Sequence, residues 1–312
     1  MKLINQSHEI IDEPNQYKLI EKCGRTCWKS ENKILPNSDL PFITKLVKMN
    51  HLSVLEHGYI AFEINDQTFR DIKLTSRYNN ILDNVIDDTF ISFSKLSRNI
   101  VSANFRAWKE FFEIPNVMKS PGIKSIARYF NLNYPEIFPE VDTLPDNSNP
   151  IRSNSLSPME RAIHTTKSVK FITDRGVSHE LCRHRQNAIS QESTRYVKYN
   201  DGNMEFIFPI WWKDYPDEAQ RKFIYFCDYC EQKYIELLNL GWQPQQARQI
   251  LPNSLKTELI ITGTLCQWFH IFQLRCHRAA HPQTRSLMQA TLKDFIKIEP
   301  DIFKQQEELL TQ

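Results

Sequence analysis

The chain has 312 residues, enough for one large domain or two small ones, with a sizeable buried core. Its 39 lysines and arginines nearly balance 37 acidic residues, for a formal charge of +2, which argues against a general nucleic-acid or membrane-surface binder and directs attention to local basic clusters. Seven scattered cysteines suit free thiols in a reducing compartment. No run of about 18 apolar residues reads as a membrane span, and Glu9, Asp12 and Glu13 make the start unlike a signal peptide, so a soluble cytoplasmic protein is expected.

In chain order, Asp12 and Glu13 before Pro14 predict a helix start, with Leu19 or Ile20, Cys23 and Cys27 recurring at helical spacing. A second helix is predicted from about Ser38, with Phe42, Leu46 and Met49 on one face. The polar run from His51 to His57, with Ser53 and Glu56 inside it, precedes an alternating stretch from Tyr59 to Ile64 that reads as a strand. His51 and His57 are six apart, a spacing that neither a helix face nor a strand face brings together, so a metal site is not expected there.

Residues 65–168 are less informative: Thr89 to Ser94 suggests a strand, and Val101, Phe105, Trp108 and Phe112 an amphipathic helix. Prolines from Pro135 to Pro158, with Asp146 and Ser153 among small polar residues, suggest a long polar loop. The strands on either side are expected to need each other, so no domain boundary is read there and a single domain over 1–312 is expected.

Ser168 to Thr173 predicts the returning strand, and Asp174-Arg-Gly a turn into a helix carrying His179 and Arg183. His179-Glu180 suggests the start of a zinc-protease motif, but Arg183 stands where the second histidine is needed. Glu205 to Phe208 predicts a strand. Phe223, Phe226 or Cys227, Cys230, Tyr234 and Leu237 predict a long helix with its aromatics in the core, capped by Gly241. The Cys227–Cys230 pair lies inside that helix pattern with no second pair at ribbon spacing, so a buried helix face outweighs zinc. A short helix over Pro244 to Leu251 carries Arg248, and Leu255 to Arg275 reads as one largely apolar helix.

The densest cluster of chemistry lies between Glu180 and Tyr196, where Arg183, His184, Arg185, Gln191, Glu192, Ser193, Thr194 and Arg195 fall close together. Arg183 and Arg185 have no acidic residue at the i,i+4 spacing, and planar guanidinium groups match phosphate or carboxylate oxygens two at a time. The stretch therefore calls for an anionic ligand. Only seven glycines occur, none in a G-x-G-x-x-G or Walker loop, so a nucleotide would be held by side chains and ordinary helix ends.

Arg183-His184-Arg185 followed after seven residues by Ser193 resembles the signature of the flavin-dependent thymidylate synthases. His51, Ser53 and Glu56, the Arg25 to Ser30 segment, Arg248 with Pro252, and Arg275 with Ala280 to Gln283 resemble further segments of that family. The resemblance implies an α+β fold, a mixed helix-rich domain with a small antiparallel sheet and a family-variable insertion at about 65–168, assembled as a homotetramer with active sites shared between subunits. It implies methylation of dUMP to dTMP, with methylenetetrahydrofolate as carbon donor and FAD, reduced by NADPH, as hydride source. On the same ground Ser53, Arg183, His184, Arg185, Gln191, Thr264 and His270 are expected near the flavin. Glu180, Arg183, Gln191, Glu192, Ser193, Thr194, Arg195, Arg248 and Arg275 are expected near the nucleotide, with Arg275 catalytic. The sequence departs from the family pattern at Ala188, where serine is common, at Gln186-Asn187, which replaces a frequent Pro-Ala, and at Thr264, often asparagine. Two competing readings are a catalytically silent single-stranded nucleic-acid binder, disfavoured by the near-neutral charge, and a zinc hydrolase, disfavoured by its incoherent ligand spacing. No nucleic-acid partner and no membrane partner is expected.

Overall fold

The computed structural model describes residues 1–82, 91–95, 98–138, 151, 153–199 and 203–311. The chain opens with β1 (Lys2–Ile4), β2 (Ser7–Ile11), α1 (Gln16–Trp28) and α2 (Asp39–Lys48). Next come β3 (Tyr59–Glu63), α3 (Asp66–Leu82), β4 (Ile91–Lys95), β5 (Asn99–Asn104), α4 (Phe105–Glu113) and α5 (Pro121–Asn133). The second half contains α6 (Pro158–His164), β6 (Thr166–Asp174), α7 (Arg175–Leu181), β7 (Ala188–Gln191), β8 (Glu205–Ile207) and the long α8 (Asp217–Asn239). It ends with α9 (Pro244–Ala247), β9 (Lys256–Thr264), α10 (Leu265–Arg275), α11 (Pro282–Ile298) and α12 (Pro300–Phe303).

The strands form a four-stranded antiparallel sheet in the order β2-β6-β9-β7, a three-stranded antiparallel sheet β3-β5-β4, and a parallel pair of β1 with β8. A mixed, helix-rich α+β fold is thus observed, with three small sheets among the described residues where one was expected. Strand β9 organises it. All nine of its residues are buried, because neighbours cover both faces. Leu259 and Ile261 join a core built with Phe171, Trp268, Phe272 and Phe295, while Ile260 points the other way, into a core shared with Ile20, Cys23, Phe62, Phe105 and Trp108.

This corrects the single helix expected over Leu255 to Arg275: its first half is β9, and the helix begins only at Leu265. A strand buried on both faces loses the period-2 alternation and reads as a continuous apolar run. Thr264 caps the start of α10, accepting from the Gln267 N–H at 3.2 Å while the Gln267 side chain accepts from the Thr264 N–H at 2.7 Å.

The strands flanking residues 65–168 do not need each other. β3 pairs with β5, inside the segment, whereas β6 lies between β2 and β9 in the other sheet. Phe105, Trp108, Phe111 and Phe130 share a core with Ile20, Cys23 and Val54, so this stretch helps to bury α1. Helix α4 starts at Phe105, after Asn104 caps it, and Val101 belongs to β5. Of the expected strand from Thr89 to Ser94, residues 89 and 90 lie outside the described residues, as do 139–150 and 152 of the expected loop. Pro158 is the first residue of α6, where Ser157 and Glu160 form a capping box.

Other boundaries follow local chemistry. Asn15 caps α1, and Gly241 adopts φ 95° just beyond α8, a left-handed turn that glycine makes without Cβ strain. Helix α8 buries Cys227, Cys230 and Tyr234, but Phe226 is 52% exposed, so the aromatics expected in the core are partly on its outer face. Met49 is likewise exposed, beyond the end of α2.

Candidate active site

Strand β6 delivers the chain into α7, where the Asp174 carboxylate accepts from the Val177 N–H at 2.7 Å and fixes the first turn. The helix stops at Leu181, so Arg183 lies beyond it, and the Arg183 and His184 N–H groups turn back to the carbonyls of Glu180 and Leu181. Arg275, the last residue of α10, closes over this end. Its guanidinium donates to the Glu180 carboxylate at 3.0 Å, to the Glu180 carbonyl at 2.8 Å and to His184 Nε2 at 3.0 Å. A cation on exposed helix carbonyls is favoured by the helix dipole.

The bond to His184 fixes a protonation state. A guanidinium only donates, so Nε2 must be a bare acceptor and the ring proton sits on Nδ1. Burial, then the charge of Arg275, then His270 push the His184 pKa down to about 4, so the ring is neutral near pH 7. The His270 ring lies 6.4 Å away with its residue exposed. Arg183 and Arg185 are exposed too, and among the described residues neither makes an ion pair. Glu180 also borders a cavity of about 320 Å³ with Asp174, Trp211, His281 and Gln283, which brings the expected late segment beside the Arg275 pair.

A second cluster grows from the end of β7. The Glu192 N–H continues the ladder to Glu258 O at 2.8 Å, and the Ser193 N–H reaches Cys27 O of α1 at 3.1 Å. The chain then turns, with the Tyr196 and Val197 N–H groups returning to Ser193 O. Arg195 points outward, its guanidinium 5.3 Å over the Tyr196 ring and its Nε donating to Gln245 at 3.3 Å. Arg248 donates to Thr194 Oγ1 at 3.4 Å. Trp28 flanks this rim, 6.3 Å from Tyr196 and stacked 6.5 Å from His51.

Two groups of expected site residues are therefore assembled: Glu180, His184, His270 and Arg275 in one, and Ser193, Thr194, Arg195 and Arg248 in the other. No hydrogen bond or ion pair among the described residues joins the two groups directly. Other side chains serve the fold. Gln191 turns inward, donating to Ser178 Oγ at 2.9 Å and Thr257 Oγ1 at 3.2 Å. Glu192 is buried against Lys256 and Tyr199, and the Thr264 hydroxyl is engaged in capping α10. Ser53 is exposed on the turn before β3, outside both groups.

Sequence reasoning missed a buried polar chain beneath the site. His57, fully buried, bonds Thr262 Oγ1 at 2.7 Å and Ser190 Oγ at 2.9 Å, and Thr262 meets Ser168 at 2.6 Å. Burial pushes the His57 pKa down to about 3, leaving a neutral imidazole with both nitrogens satisfied. It also missed Lys256 and Glu258. Their i,i+2 spacing, which sets both on one face of a strand, was the available signal.

Residues 147–301 match a family model described as "Thymidylate synthase complementing protein". A flavin-dependent thymidylate synthase of Mycolicibacterium gilvum is 33% identical over 144 residues, covering 41% of this chain and 56% of the relative. One from Geobacter sulfurreducens is 30% identical over 130 residues, covering 42% and 56%. Over residues 147–301 the chain resembles the flavin-dependent thymidylate synthases. Another family member, from Mycobacteroides abscessus, is 29% identical over 169 residues, covering 49% of this chain and 65% of its own. The chain thus spans 56% to 65% of the length of these relatives. The stretch that matches the family model contains both residue groups, while Trp28, His51, Ser53 and His57 precede it. A UMP/dUMP methylase, PolB from Streptomyces cacaoi, bound with 5-Br dUMP, aligns over 97% of each chain at 14% identity with a TM-score of 0.43, a likeness too loose to bear on the site.

Proposed function

We propose that this chain is a flavin-dependent thymidylate synthase, which methylates C5 of the uracil of dUMP to give dTMP. The carbon comes from methylenetetrahydrofolate, and NADPH reduces the FAD. The observation that carries the reading is Arg275, held by Glu180 and His184 beside Arg183 and Arg185, which make no ion pair among the described residues. The donor set suits FAD: Arg183 and Arg185 offer two uncommitted charges for a pyrophosphate, and His184, His270 and Ser53 offer polar contacts to a ring edge. Gln191 and Thr264 act on that region through the strand and helix they fasten. When bound, the reduced flavin supplies the hydride.

The chain's own residues do the rest. Ser193, Thr194, Arg195 and Arg248 present hydroxyls and cations to the phosphate of dUMP. Arg275 lies against the uracil and stabilises the anion that forms on ionisation at N3. It does so electrostatically, because a guanidinium keeps its proton. Glu180 and His184 fix the plane of that guanidinium before substrate arrives. No cysteine nucleophile is needed. The two residue groups meet across subunits of a homotetramer. Seven unpaired cysteines suit a reducing cytoplasm, and among the described residues no helix is long and apolar enough to cross a membrane.

The test is an absorption spectrum of the purified protein together with dTMP formation from dUMP, methylenetetrahydrofolate and NADPH. Flavin absorption that survives gel filtration, with turnover, is expected. A colourless protein that takes up no FAD and makes no dTMP would overturn the reading.

A further inference from the structure

We propose that Glu192 is a positioning residue, whose carboxylate, locked inside a buried array of charges, holds the Ser193–Arg195 turn in its binding geometry without touching a ligand. The inference rests on the nucleotide-binding reading of that turn. On one face of β9, Lys256 and Glu258 point toward α1, with side chains 6% and 5% exposed, and Glu192 is 2% exposed. Lys256 Nζ lies 3.2 Å from Glu192, 2.5 Å from Glu258 and 3.6 Å from Glu205. Glu258 also pairs with Lys170 at 2.7 Å and with Lys29. Three lysines thus face Glu192, Glu205 and Glu258, with Glu31 a further carboxylate 4.0 Å from Lys29.

The charges of Lys256 and Glu258 are firmly set. Burial alone would push the Glu258 carboxyl up, yet Lys256, Lys170 and Lys29 hold it at about 2. Burial would likewise lower Lys256, but Glu192 and Glu258 raise it above the ordinary lysine value. Burial and the charge of Glu192 push the Tyr199 phenol up, so it stays a donor, reaching the second Glu192 oxygen at 3.1 Å. Both carboxylate oxygens of Glu192 are therefore engaged from within the fold, and almost none of the side chain faces solvent.

What the array fastens is the backbone of the binding turn. The Glu192 N–H donates to Glu258 O, and the next N–H, from Ser193, donates to Cys27 O at the end of α1. Lys29, two residues beyond Cys27, holds that same Glu258. The exit of β7, the start of β9 and the end of α1 are thus tied at one point, immediately before Ser193, Thr194 and Arg195. Ion pairs fix distance and direction where apolar packing would permit sliding, and removing one partner leaves an uncompensated buried charge.

The test compares Glu192→Gln with Glu192→Gln/Lys256→Met, which restores the original charge balance. Amide hydrogen exchange of the protein without ligand, thermal unfolding, equilibrium dialysis with dUMP, and kcat and KM for dUMP are measured. Glu192→Gln is expected to speed exchange at Glu192 and Ser193 and to weaken dUMP binding by about tenfold, with kcat at saturating dUMP little changed. The double variant should recover most of both losses, the sign of a coupled pair. Weakened binding without faster exchange, and without rescue, would overturn the proposal by showing a direct ligand contact. Unchanged exchange with unchanged binding, or faster exchange spread evenly over the chain with a lower Tm, would overturn it also. If the wild type binds no dUMP, the functional reading fails, while the exchange measurements still decide whether Glu192 fastens the turn.

Discussion

Replacing Arg275 with alanine removes three bonds at once: to the Glu180 carboxylate at 3.0 Å, to its carbonyl at 2.8 Å and to His184 Nε2 at 3.0 Å. A hydrogen bond to a charged group contributes about 1.5–3 kcal/mol, and water replaces part of that here because the Arg275 and Glu180 side chains are 17% and 25% exposed. A stability loss of about 2–3 kcal/mol is therefore expected for the variant, read from urea midpoints at constant m-value. Losing an aimed charge at the reacting ring should cost about 10²–10³ in turnover while bound flavin is retained. Arg275→Lys keeps the charge but not the planar fork, so it should recover part of the stability and little of the turnover. The His184 pKa should rise in Arg275→Ala, because one of the charges holding it down is gone. Normal turnover in Arg275→Ala would move the catalytic role elsewhere, and a stability loss below about 0.5 kcal/mol would refute the account of the bonds.

Two further outcomes follow from groups beneath the site. His57 is neutral in the fold, with its pKa lowered from 6.5 to about 3, so below pH 6.5 the unfolded chain takes up a proton that the folded chain refuses. Its contribution is complete above pH 6.5 and is lost on acidification at about 1.4 kcal/mol per pH unit, a trend to which His164 and His184 add down to about 4. Urea unfolding across this range should show a flatter pH slope in His57→Gln, and an unchanged slope would rule the histidine out. Thr264→Ala should cost about 1 kcal/mol through the lost helix cap, with Thr264→Ser near wild type. A lower FAD affinity with no stability change would instead place that hydroxyl on the flavin.

Local chemistry made much of the fold legible. The stripe of Ile20 and Cys23 marked α1, the alternation after Gly58 marked β3, and Gly241 marked the end of α8. The paired basic and hydroxyl residues from Arg183 to Arg195 stood out because no acidic residue stands at the i,i+4 spacing from Arg183 or Arg185. The Glu192–Lys256 pair did not stand out, because its partners are 64 residues apart and each alone resembles an ordinary surface charge. His57 was hidden for a similar reason, since its partners Ser190 and Thr262 come from two later strands. The outward aromatics of α8 carried helical spacing, but spacing cannot say which face a neighbour covers.

The two faces of β9 also make its alignment self-checking. At the start of β9, Lys256 and Glu258 face the charge array while Leu259 faces the apolar core around Trp268 and Phe272, so a shift of one position would exchange them. Lys256 and Glu258 would then enter a greasy interior without Lys29, Lys170 or Glu192 to receive them, while Leu259 would meet stranded charges. Mispairing of the central strand thus carries its own penalty, and the charges beside the turn after β7 also reject the wrong sheet.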